Sequence, residues 1–162
     1  MDMKFQRILV PIDFSENAVG VLDQAEALAK QFGAELNLVH VVESSPYEVY
    51  QQRGFLTEIP HYSRAGTTEP GKGDRFVIHD VLEESRVELE RMIRKGWKAK
   101  ATVRHGPVVD ELLAEAKEYK ADLILISTHG WTGFKHMLLG SVAERIVRLS
   151  PIPVLTVRIQ PE

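Results

Sequence analysis

The 162 residues are 44% hydrophobic and 27% charged, a balance that supports a folded core in one domain and excludes a disordered chain. The absence of cysteine rules out disulfides, thiolate-held zinc, iron–sulfur clusters and thiol catalysis. A net charge of −3 argues against a nucleic-acid surface, no apolar run approaches the roughly 20 residues of a membrane helix, and the start MDMKFQRILVPID lacks a signal-peptide pattern, so the expected compartment is the cytoplasm.

Short Val/Ile/Leu runs alternate with amphipathic segments, the signature of βαβ units and a parallel sheet. Strand 1 is expected at Arg7 to Ile12. Helix 1 follows from about Ser15 to Phe32, with Val19, Leu22, Ala25 and Leu28 or Ala29 at helical spacing and Gly33 as its terminator. Strand 2 covers Leu36 to Val42. Residues 43 to 73 hold Pro46, Gly54, Pro60, Gly66, Pro70, Gly71 and Gly73 and read as a mobile surface excursion within the single 1–162 domain. Helix 2 runs from about Asp74 to Lys95, strand 3 from Trp97 to Arg104, and Gly106-Pro107 opens helix 3 with proline in the first turn. Strand 4 is Asp122 to Ser127, the last helix Ser141 to Leu149, and strand 5 Pro153 to Ile159.

The strands differ in kind. ILVPI and LILIS are continuously apolar, as strands covered on both faces must be, and read as central. Strand 3 alternates Ala99, Ala101 and Val103 with Lys98, Lys100, Thr102 and Arg104, so its charges mark an edge. Strand 5, with Val154, Leu155, Val157 and Ile159 and only Arg158 among them, reads as the less protected edge, where a partner is expected.

Between strand 4 and the last helix lie Ser127-Thr128-His129-Gly130, nine residues, and Gly140-Ser141. A glycine past a strand lets backbone approach a phosphate, and a helix start offers the unpaired amides of Ser141, Val142 and Ala143 to an anion. Ser141-x-x-Glu144 is equally a capping box that would satisfy those amides internally, and the local sequence leaves the two readings level. Asp13, closing strand 1, would face the same crevice if strands 1 and 4 are neighbours, because doubly wound sheets bind ligands at that switch point. The alternative is that Asp13 helps start helix 1 along with Ser15.

The segments ILVPIDFSENA, HVVE, GPVVDELLAEAKEYKADLILISTHG and GWTGFKHMLLGSVAERIVRLSPIPVLTV, in this order, resemble the universal stress protein family over nearly the whole chain. The resemblance implies a Rossmann-like three-layer α/β fold with a five-stranded parallel sheet in the order 3-2-1-4-5. It also implies a homodimer through strand 5 and an ATP site, with magnesium arriving on the phosphates. The nucleotide-binding branch carries Gly, two residues, Gly, nine residues, then Gly-Ser or Gly-Thr. Gly130 and Gly140-Ser141 match, and Ser127 stands in place of the first glycine. By resemblance Asp13 and Ser127 lie near the ribose, Pro11, Ile12 and Val41 near the adenine, and Gly130, Gly140, Ser141 and Val142 on the phosphates; Ala143 joins them through its helix-start amide. His129 and Gly133 belong to the same loop, whose Trp131 to Leu139 stretch nucleotide would order.

Gly66 to Lys72 imitates a phosphate loop, but Gly73 replaces the hydroxyl residue and no buried strand feeds it. The six histidines form no metal-ligand cluster, and His40 reads as a hydrogen-bonded core residue. Ser141 has no evident base beside it, so a binding module is preferred to an enzyme, with slow ATP hydrolysis or a nucleotide-free dimeric scaffold as alternatives.

Overall fold

The computed structural model describes residues 4–15, 18–43, 72–128 and 139–159. Their elements are β1 (Arg7–Pro11), α1 (Ala18–Phe32), β2 (Glu35–Val42), α2 (Lys72–Met92), β3 (Ala99–His105), α3 (Val108–Tyr119), β4 (Leu123–Ser127), α4 (Ser141–Leu149) and β5 (Val154–Val157). The strands form one parallel sheet in the order β3-β2-β1-β4-β5, the order expected from the resemblance. Most of the 43–73 excursion, residues 44–71, lies outside the described residues.

Continuous apolarity in β1 and β4 has the expected cause, since each is covered on both faces. Ile8 and Val10 join Leu36, Leu38, Leu123 and Leu125 in a core sealed by Val21, Leu22 and Ala25 of α1 and Leu89 of α2. Leu9, Val39, Ile124 and Ile126 face the other way, onto Val109, Leu112 and Ala116 of α3 and Ala143 and Ile146 of α4. Below the sheet, the Asp122 carboxylate accepts the amides of Gln6 at 2.8 Å and Arg7 at 3.1 Å, anchoring the start of β1. Among the described residues no helix is long and apolar enough to cross a membrane.

Several boundaries differ from expectation. Helix α1 begins at Ala18, not Ser15; the Ser15 carbonyl accepts the Ala18 amide at 3.0 Å, and Phe14 before it takes φ 59°. Val19 is 58% exposed, and α1 buries Ala18, Val21, Leu22 and Ala25 instead. Helix α2 ends at Met92, ahead of the turn in which Gly96 takes φ 88°. Pro107 is the N-cap of α3 at φ −60° and ψ 122°, one residue before the helix.

Two corrections concern the edges. The polar side of β3 faces α3, where Arg104 and Lys100 pair with carboxylates, so these charges hold a helix as well as marking an edge. Strand β5 ends at Val157; Ile159 lies beyond it and packs against α1, where a Cβ on Gly20 would come within 2.8 Å of its side chain.

Candidate functional site

The site begins with a proline in a central strand. Asp122 donates its amide to the Arg7 carbonyl, and Ile12 donates to Val39, so along β1 the odd residues address β4 and the even ones β2. Pro11 therefore lacks its donor on the β4 side. Pairing of β1 with β4 runs through Ile8 with Leu123 and Leu9 with Ile124, whereas pairing with β2 continues to Pro11 with Val39. Beyond Leu9 the two central strands are free to part, at the point where the sheet order reverses.

A cavity of about 370 Å³ opens at that point, within the usual size of small-molecule sites. Its lining includes Val39, His40, Val41 and Glu43 of the β2 end, Val108 and Leu112 of α3, and Ile126, Ser127 and Thr128 of the β4 end. Pro11, Ile12, Asp13 and Ser15 contribute from β1 and its exit, Ala18 and Val21 from α1, and Gly140, Ser141, Val142 and Ala143 from the start of α4. The β2 and α3 side is largely apolar, and the β4 and α4 side carries hydroxyls and backbone amides. Asp13 stands between them, its Oδ1 accepting the Ser15 amide at 2.9 Å.

The start of α4 distinguishes capping from an open anion site. Its N-cap is Gly140, at φ −67° and ψ 156°, and no side chain caps it. Ser141 is thus the first helical residue, one position too late for the capping box to close. The Gly140 carbonyl accepts the Glu144 amide at 2.8 Å, and the Gly140 amide donates to Thr128 at 2.6 Å. That bond ties the helix start to the end of β4 and directs the first amides of α4, with the positive end of its dipole, to the cavity wall.

Of the site residues expected from sequence, Pro11, Ile12, Asp13, Val41, Ser127, Gly140, Ser141, Val142 and Ala143 line this one cavity. His129, Gly130 and Gly133 lie outside the described residues. Sequence reasoning missed the wall formed by Val108 and Leu112, for which the apolar face of α3 was the only available signal. It also missed Ser15 and the cavity-facing position of His40, whose Nδ1 donates to the Ile12 carbonyl at 2.7 Å. Among the described residues no group of three or more His, Asp or Glu is placed to hold a metal ion.

A second, more open hollow of about 710 Å³ lies beside α2, where the described lining residues set Asp80, Glu83, Glu84 and Glu88 against one cation, Arg91. Such a charge balance repels a polyphosphate.

A model of the universal stress protein family matches residues 4–158. Universal stress protein YxiE of Bacillus subtilis is 32% identical over 154 residues, covering 95% of this chain and 99% of that protein. Universal stress protein MJ0531 of Methanocaldococcus jannaschii is 30% identical over 159 residues, covering 95% and 82%. Among solved structures, that of protein MJ0577, from the same archaeon, aligns at a TM-score of 0.74 with 26% identity, over 99% of this chain and 100% of that one. The fold is also that of a universal stress protein in complex with cAMP (TM-score 0.58, 22% identity, 98% and 100% covered). An Archaeoglobus fulgidus universal stress protein in complex with dAMP shares it too (TM-score 0.54, 18% identity, 95% and 98% covered). The chain belongs to the universal stress protein family.

Proposed function

From that membership as premise, we propose that the chain is a single-domain, ATP-binding stress-response module that holds its nucleotide at the carboxyl ends of β1, β2 and β4. The observation that carries the reading is the division of the cavity: an apolar wall on one side, the uncapped start of α4 on the other, and a carboxylate between them. Adenine is assigned to the side of Pro11, Ile12 and Val41, the ribose hydroxyls to Asp13 and Ser127, and the phosphates to the amides of Gly140, Ser141, Val142 and Ala143. His129, Gly130 and Gly133 join this set on sequence grounds. Two proteins of the same fold are described in complex with cAMP and with dAMP, which supports adenine as the base. Magnesium, where used, comes with the phosphates. No catalytic residue is assigned, and turnover is at most slow in this reading.

Calorimetry on ligand-stripped protein with millimolar ATP, ADP or AMP should show binding, and mass analysis of freshly denatured protein should release an adenine nucleotide. Silence in both with all three ligands would sink the reading. Dimerisation through β5 is part of the same proposal: Leu155 is 42% exposed on that edge, and Leu155→Asp should convert a dimer to a monomer in sedimentation. A wild-type monomer would remove this part alone.

A further inference from the structure

We infer that His40 is a positioning residue for the ligand cavity: through Ile12 and Phe14 it holds the strained turn that sets the Asp13 carboxylate at the cavity edge. Its consequence for binding rests on the nucleotide reading above, whereas its geometry can be tested without any ligand.

Strand β2 grips the end of β1 at one residue. The Ile12 amide donates to the Val39 carbonyl at 2.8 Å, and the side chain of the next residue, His40, donates from Nδ1 to the Ile12 carbonyl at 2.7 Å. Both hydrogen-bonding groups of Ile12 are thereby held by adjacent residues of one strand. The chain then leaves the sheet. Asp13 follows, and Phe14 takes φ 59°, a left-handed conformation that bulky side chains rarely adopt.

Such a conformation persists only when its surroundings over-determine it. Here the Phe14 ring packs on the His40 ring with centroids 4.4 Å apart and planes at 43°, and Asp13 Oδ1 accepts the Ser15 amide at 2.9 Å. His40 thus supplies two of the restraints, one polar and one aromatic, on either side of Asp13. The carboxylate is oriented by a turn that His40 keeps from relaxing.

Protonation does not govern this grip. A carbonyl oxygen only accepts, so Nδ1 carries the hydrogen, and it does so in the neutral Nδ1–H tautomer and in the imidazolium alike. The rival explanation is direct contact, because the His40 ring also lines the cavity.

A double-mutant cycle on the full chain separates the two. His40→Phe keeps an aromatic ring beside Phe14 and removes the donor. ATP affinity should fall about tenfold in His40→Phe, with little further loss when it is combined with Asp13→Ala. Losses that multiply independently would mean direct contact and overturn the inference, as would an unchanged affinity in His40→Phe. In ligand-free protein, the Ser15 amide should exchange with solvent about tenfold faster in His40→Phe. His40→Asn, whose side-chain N–H stands two bonds from Cβ as Nδ1 does, should retain the slower exchange. Unaltered Ser15 exchange in His40→Phe, or equally fast exchange in both variants, overturns the inference even if wild-type protein binds no nucleotide, in which case the functional reading falls separately.

Discussion

Replacing Arg104 with methionine, which keeps an apolar stem but no guanidinium, should destabilise the protein by about 2–3 kcal/mol. Arg104 reaches three carboxylates of α3: its Nε lies 2.6 Å from Glu111, and its Nη1 lies 2.9 Å from both Glu115 and Glu118. These partners are not equivalent. The Glu118 side chain is 65% exposed, and an exposed pair contributes at most about 1 kcal/mol. Glu115 is 5% exposed and also accepts from Asn37 at 2.8 Å and from Lys100 at 3.3 Å. Removing one partner of a buried ion pair typically costs about 3–5 kcal/mol because the other charge stays buried. The surviving Lys100 contact and the partial exposure of Arg104 bring the expectation down. Urea denaturation should show the loss at unchanged slope, with Tm lower by roughly 5–10 °C. Glu118→Gln, in the same network but exposed, should cost less than about 0.5 kcal/mol. An Arg104→Met loss below about 1 kcal/mol, or equal to that of Glu118→Gln, would refute the argument that burial of Glu115 sets the cost.

Gly140 has an extended backbone open to any residue, so Gly140→Ala should change stability by no more than about 1 kcal/mol. Added bulk on this backbone should lower ATP affinity about tenfold by calorimetry; equal affinity would count against phosphate approach at this backbone. The Ser15 hydroxyl is buried with no partner among the described residues, so Ser15→Ala should raise stability by about 1 kcal/mol in urea, and a loss would count against an unsatisfied hydroxyl. Glu26 is held down to about 2 by the hydrogen bond from Lys30, with Arg94 adding to it. Because the folded value is depressed below the ordinary 4.5, its stabilisation is present above that value and is lost as pH falls through about 2. Urea midpoints measured across that window should fall less steeply in Glu26→Gln, and the difference should shrink in high salt because the pairs are exposed.

What the sequence reveals and what it hides follow from one physical rule. A strand covered on both faces has no reason to alternate, so ILVPI and LILIS announce the sheet centre, and the alternating strand 3 announces an edge. The rule is silent about partners. Asn37 sits fully buried inside an apolar strand because Thr102 and Glu115 satisfy its amide, and that pairing joins β2, β3 and α3, whose juxtaposition only the fold supplies. The capping box at Ser141 misleads by a single residue: the Gly140 bond to Thr128 fixes where α4 begins, and that bond spans the loop. Pro11 is the instructive case. A proline inside a central strand argues locally against the strand, yet its missing donor points toward β4 just past the last paired residues of β1 and β4. The apparent flaw in strand 1 is therefore what lets the central strands part, and the candidate site lies where they do.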